Sequence, residues 1–343
     1  MKKLFSILTL ILLMPTLAFA GGAVLKNHVK AGFVYVGPVG DHGWSYMHDQ
    51  GRKMLEDVLG NKVTTVYVES VPEGPDAVRV MRQMAQSGVD IIFTTSFGYM
   101  EQTLKVAKEF PNVKFEHATG YKTAENVSVY SSRFYEGRYI QGVIAGYMSK
   151  KGKAGYVASF PIPEVIRGIN AFYLGATSVN PDFDLDIVWV NTWYDPVKEA
   201  QAAEVLINGG VDIITQHTDS PAPLQTAGGK GILAFGQASD MIAFAPGTQL
   251  TSIMDNWGPY YVSRVQSLLN GMWESEDTWG GINTGMVGMA PYTNMPDEVR
   301  KAAEEIEYAI LNGYLNIFDG ISDDSGLLGM MTYLDGIDAS VPN

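Results

Sequence analysis

Along most of the chain, short apolar runs alternate with segments of helical spacing. Ala31 to Val36 is a run of apolar and aromatic residues, short enough for a buried strand. A Gly- and Pro-rich turn follows, Gly37 to Gly43. Ser45 to Leu59 then has amphipathic helical spacing and stops near Gly60. Val63 to Glu69 is the next strand. Pro75 to Ser87 carries Val78, Met81 and Met84 on one face and halts at Gly88, which predicts a second helix. Asp90 to Thr95 is a third strand. Strands and helices in this alternation predict parallel sheets with right-handed crossovers.

The pattern then recurs. Ala31-Gly32-Phe33-Val34 matches Ala154-Gly155-Tyr156-Val157. Thr65-Val66-Tyr67-Val68 matches Ile187-Val188-Trp189-Val190, and Gly88-Val89-Asp90-Ile91-Ile92 matches Gly210-Val211-Asp212-Ile213-Ile214. The near-constant offset implies two copies of one α/β unit. Copy two has strands at Gly155 to Ser159, Leu185 to Asn191 and Asp212 to Gln216, and helices at Val165 to Ser178 and Pro196 to Asn208. A third part opens with a strand, Leu250 to Met254, and a helix from Pro259 to Leu269 with proline early in it. Asp319 to Gly326 reads as a loop, and Leu327 to Tyr333 as a segment that packs on a lobe.

Parallel α/β sheets bind ligands outside the carboxyl ends of their strands. Two such lobes facing each other would pool those ends in one cleft. The loops that matter are then 37–45, 69–74 and 95–100 in copy one, and 159–164, 191–195 and 216–221 in copy two. They hold Asp41-His42-Gly43-Trp44, Ser96-Phe97-Gly98-Tyr99, Trp193-Tyr194-Asp195-Pro196 and His217-Thr218-Asp219. Asp240 follows the apolar run Ile232 to Phe235, and Asp255 and Trp257 follow the strand at Leu250. Aromatic faces can stack on a flat ligand while carboxylates accept hydrogen bonds at its edge. Trp44 and Trp193 are the leading pair, because their loops belong to opposite lobes. Phe97 and Tyr99 are expected to line the pocket. Asp219, Asp240 and Asp255 are the candidates for edge recognition, with His42 and His217 behind them. Asp76 and Asp195, at helix starts, read as caps.

Composition narrows the function. The chain has 343 residues, enough for about two domains. With 24 Lys+Arg against 37 Asp+Glu it carries a net charge of −13, which argues against nucleic acid or an anionic membrane as partner. It has no cysteine, so disulfides, thiolate metal sites, a cysteine nucleophile and a lipid-modified N-terminal cysteine are excluded. The five histidines form no HExxH, and a zinc site built from His42 and His217 with Asp41 or Asp219 is disfavoured by their scatter. No G-x-S-x-G elbow or phosphate-cradling loop occurs, and no cofactor is called for. Met1 to Ala20 has a basic start at Lys2-Lys3, an apolar run from Leu4 to Met14 and an Ala18-Phe19-Ala20 end. This reads as a secretory signal peptide cleaved before Gly21.

An exported two-lobed chain with Asp41-His42-Gly43-Trp44-Ser45 after its first strand resembles the Bmp/PnrA-like family of ABC-transporter solute receptors. Phe134-Tyr135-Glu136-Gly137, Gly236-Gln237-Ala238-Ser239-Asp240 and Leu250-Thr251-Ser252-Ile253-Met254 carry the same resemblance, over about residues 30 to 320. It implies a type I periplasmic binding protein: two Rossmann-like lobes with parallel sheets joined by three hinge crossings. The lobe boundaries are expected at 21–139 with 251–285, and at 140–250 with 286–343. The resemblance is strongest to a purine-binding branch. It implies a base held between aromatic rings, with Trp193 at the stacking position, Trp44 in the aromatic slot of the first loop and Asp240 as the acidic residue near the ligand. Asp255 stands where many members have a ribose-contacting lysine, which favours a free base such as adenine over a nucleoside. The expected protein is a monomeric, non-enzymatic receptor, free in the periplasm, that serves an inner-membrane ABC permease. The other readings are a nucleoside, flavin or sugar receptor, or an exported nucleoside hydrolase using Asp41 and Asp219.

Overall fold

The computed structural model describes residues 25–342. The Met1 to Ala20 leader therefore lies outside the described residues. The first lobe is built from β1 (Val29–Val34), α1 (Trp44–Leu59), β2 (Val63–Val68), α2 (Pro75–Gln86), β3 (Ile91–Thr94), α3 (Met100–Glu109), β4 (Lys114–Ala118) and β5 (Val127–Ser132). The second lobe takes α4 (Tyr135–Met148), β6 (Lys153–Ala158), α5 (Pro163–Val179), β7 (Asp184–Trp189), α6 (Pro196–Asn208), β8 (Ile213–His217), α7 (Ala222–Gly229), β9 (Leu233–Gly236) and β10 (Gln249–Asp255). The chain returns to the first lobe for α8 (Gly258–Leu269) and β11 (Asp277–Gly280). It ends on the second with β12 (Val287–Met289), α9 (Asp297–Leu311) and α10 (Asp324–Leu328).

The two sheets share one topology. Their strand orders are β2-β1-β3-β4-β5-β11 and β7-β6-β8-β9-β10-β12. All pairings are parallel except β12 on β10. The duplication extends to register: Gly32 pairs with Ile92, and its counterpart Gly155 pairs with Ile214. Central strands are apolar because both faces are covered; Phe33 and Phe93 are fully buried and stack at 4.7 Å.

Three crossings join the lobes, at 133–134, at 256–257 and between β11 and β12. Two of them fall elsewhere than the sequence suggested. The first precedes α4, whose full length packs on α5 of the second lobe, so it lies before rather than after Tyr139. The second follows β10, which pairs with β9, so Thr251 to Asp255 belong to the second sheet and not the first. The chain changes lobe where a strand ends, since leaving a sheet mid-strand would orphan its ladder bonds. A buried polar knot holds the returning helix α8. Glu116 on β4 accepts hydrogen bonds from Arg264 Nε at 2.8 Å, Tyr260 Oη at 2.6 Å and Trp273 Nε1 at 2.6 Å.

α4 and α5 approach so closely that their contact face has no room for side chains. A Cβ on Gly142 would sit 2.0 Å from the Phe172 carbonyl oxygen, and one on Gly175 would sit 2.1 Å from that of Tyr139. The two helices run in the same direction, so the first hinge crossing and the 159–164 loop lie at the same end of the pair, and its spacing positions the cleft. Gly142→Ala should force the helices apart and lower unfolding stability by about 1–3 kcal/mol in urea denaturation. Stability equal to the wild type would refute the close-packing account.

Candidate functional site

The carboxyl ends of both sheets face one cleft, which holds a small, partly open pocket. The first lobe lines it with Val36, Trp44, Ser96, Phe97 and Thr119. The second supplies Glu164, Trp193, His217, Asp219 and Gln237.

Asp41 shapes the first loop. Its Oδ1 accepts from the backbone N–H groups of Gly43 and Tyr46 at 2.9 Å, and its Oδ2 from that of Ser45 at 3.0 Å. Three donors at the start of α1 are thereby satisfied by one buried side chain. Burial pushes the Asp41 carboxyl up to about 6, against the pull of those N–H groups. The turn so fixed presents Trp44 to the cavity. The Trp44 indole donates from Nε1 to the Thr95 carbonyl at 2.6 Å and meets His48 and Trp257 edge-on at 4.5 and 5.4 Å.

Trp193 comes from the opposite lobe. Asn191, with φ of 53°, turns the chain after β7. The Trp193 carbonyl accepts from the Asp219 N–H at 3.0 Å, which ties two cleft loops of the second lobe together. Its ring packs on Phe160 at 5.0 Å, and its Nε1 donates to Glu73 of the first lobe at 3.3 Å. Glu73 also accepts from Ser96 Oγ at 2.5 Å and Gly98 N at 3.2 Å. Other contacts close the cleft as well. Ser239 Oγ donates to the His42 carbonyl, and Gly43 lies so near Asp219 that a Cβ there would be 2.3 Å from the Asp219 carbonyl oxygen. The lobes are therefore closed upon each other.

The polar edge belongs to the second lobe. Asp219 Oδ2 and His217 Nδ1 are buried and lack a hydrogen-bond partner among the described residues. Such groups cost free energy unless something binds them. Burial, reinforced by Asp41, holds the Asp219 carboxyl well above the usual carboxylate range. Burial, then Arg138 and Arg167, pushes the His217 imidazole well below its ordinary value, so it is neutral. Its Nε2 lies 3.8 Å from Glu164, beyond hydrogen-bond reach. Burial also raises the Glu164 carboxyl. Gln237 is held by the buried Arg138, which further donates to Gln141 Oε1 at 2.9 Å.

Of the residues chosen from sequence, Trp44, Phe97, Trp193 and Asp219 meet at the cavity, together with the second-rank His217. Four others lie elsewhere. Tyr99 is fully buried in the first-lobe core, its hydroxyl donating to the Val71 carbonyl. Asp240 is exposed; its Oδ1 accepts from Ile242 N at 3.0 Å and Gln249 Nε2 at 2.8 Å, which braces the turn after β9. His42 is exposed and lies against Tyr46 and Phe244 rather than in the cavity. Asp255 is buried at the second crossing, where it accepts from Ser132 Oγ at 3.3 Å. Sequence reasoning passed over Val36, Ser96, Thr119, Glu164 and Gln237. Ser96 and Glu164 stand in loops already marked by the strand-end rule, and Gln237 stands in a quoted segment. Thr119 follows β4, a strand without a clear apolar signature.

Comparison with known proteins identifies the family. The family described as ABC transporter substrate-binding protein PnrA-like matches residues 28–319. A purine-binding protein of Brucella abortus (strain 2308) is 57% identical over 94% of this chain and 96% of its own. A Haloferax volcanii protein, provisionally described as an ABC transporter glucose-binding protein, is 39% identical over 94% of this chain and 84% of its own. In structure, an ABC transporter solute-binding protein from Aeropyrum pernix K1 superposes with a TM-score of 0.73 at 18% identity, over 84% of this chain and 92% of that one, which bears on fold alone. The chain belongs to the Bmp family, the PnrA-like substrate-binding proteins of ABC transporters.

Proposed function

We propose that this chain is an exported receptor that binds a purine base, adenine foremost, between Trp44 and Trp193 and presents it to an ABC permease in the inner membrane. One observation carries the reading. Two indoles from opposite lobes border one pocket in the cleft, and its polar edge bears unpartnered Asp219 and His217 atoms. The purine-binding relative supports the ligand class.

The chemistry follows from the side chains. A planar base offers two π-faces and a rim of donors and acceptors. The indoles take the faces; the Asp219 carboxylate accepts an N–H, and the neutral His217 imidazole can accept or donate. Closure brings the halves together and excludes water, which strengthens both kinds of contact. Glu73 reports closure, because it holds Trp193 only when the lobes meet. The hydrolase reading built on Asp41 and Asp219 is a poorer fit, since both Asp41 oxygens are engaged by backbone N–H groups. A sugar also stacks on indoles, and the glucose-binding description of the Haloferax relative keeps that second reading alive. Its predicted result is glucose, rather than a purine, in calorimetric competition.

Stacking on an aromatic ring is worth about 1–3 kcal/mol per base. Trp193→Ala should therefore weaken adenine binding at least about tenfold in isothermal titration calorimetry, tenfold being about 1.4 kcal/mol. Unchanged affinity would remove the stacking role.

The Asp219 carboxyl is raised in the free protein, chiefly by burial. An N–H donated by the ligand favours the charged form, so its pKa falls on binding and a proton is released. Affinity should accordingly be fullest where free Asp219 is already ionised and decline as the pH falls and the free protein takes up a proton there. Asp219→Asn should flatten that slope. A slope that survives the substitution would place the titrating group elsewhere.

A further inference from the structure

The family match ends at residue 319, yet the chain continues and reaches a pocket beside the site. Residues 320–342 run as a strap along the second lobe. Asn170 on α5 donates to the Thr332 carbonyl at 3.0 Å and accepts from Leu334 N at 3.1 Å. Trp189 Nε1 donates to Tyr333 Oη at 3.1 Å. Arg167, also on α5 and itself buried, donates from Nη1 to the Leu327 carbonyl at 2.7 Å. The start of α10 is clamped to the first hinge crossing. Arg133 grips Asp324 with both guanidinium nitrogens, at 2.9 and 2.6 Å, while lying over the Trp279 ring at 4.1 Å.

The clamp bears directly on the cleft. A second small pocket adjoins the first and shares Phe97, Thr119 and Glu164 with it. Arg167 and Leu328 line this second pocket, and Leu328 is contributed by the strap. Whatever extends from the ring past Phe97 enters a space bounded by a side chain outside the family match. Leu328 is half-buried there, and Leu327 beside it packs into the second-lobe core. We propose that the C-terminal strap sets how large a purine the cleft accepts, with Leu328 as the specificity-determining side chain and the Arg133–Asp324 pair as the clamp that positions it. The inference rests on the purine reading of the cleft.

The test compares adenine with adenosine, which carries a bulky ring substituent, on the full-length mature protein and three variants by calorimetry. Leu328→Ala should shift the affinity ratio toward adenosine at least about fivefold while adenine stays within about twofold. Leu328→Trp should shift it the opposite way. Asp324→Ala, which frees the clamp, should move the ratio in the direction of Leu328→Ala by a smaller factor. A ratio constant within about twofold in both Leu328 variants, with wild-type melting curves, overturns the role of the strap while leaving the purine reading intact. Wild-type protein that binds neither compound overturns both.

Discussion

The hydrogen bond from Trp193 to Glu73 spans the two lobes, and the cavity exists as a single space only because such cross-cleft contacts form. Taken separately, each lobe offers one indole and a few polar atoms at the ends of parallel strands. Neither half encloses a flat molecule. The bond also orients the Trp193 ring, and Glu73 holds Ser96 and Gly98 at the same time, so one carboxylate ties the aromatic wall of one lobe to the loop that carries Phe97 in the other. Gly43 makes this approach possible, because any Cβ would strike the Asp219 carbonyl.

The lobes that close are near copies, and this explains how much was legible in advance. A doubled strand–helix grammar with a constant offset was visible because parallel strands buried on both faces must be apolar throughout, and such runs stand out. Strand-end loops were marked by the same logic, and they contain Trp44, Phe97, Trp193 and Asp219. Boundaries were less legible. α4 and β10 are apolar enough to serve either lobe, and only their partners, α5 and β9, decide the matter. Short edge strands such as β11 and β12 have too few residues to show a period.

Individual carboxylates were the hardest to read, because a loop aspartate looks the same whether it braces a turn or faces a ligand. Asp41 spends its oxygens on three backbone N–H groups, and Asp240 spends one on Ile242 and Gln249. Asp219 keeps an oxygen free. That difference is one of hydrogen-bond satisfaction, which depends on neighbours distant in sequence. Tyr99 illustrates the same limit for aromatics: its loop was right, but its hydroxyl finds the Val71 carbonyl and its ring joins the core. An unpartnered buried atom marks the site only where it also lines the pocket, as at Asp219 and His217; Asp255 keeps a buried oxygen free at the second crossing without lining it.

The central claim is that one planar ring occupies the space between indoles from opposite lobes. A crystal structure of the adenine complex tests it most directly. The account predicts the purine plane lying between Trp44 and Trp193, with a ring N–H directed at Asp219. Adenine bound outside that gap, or held there edge-on to both indoles, would contradict it.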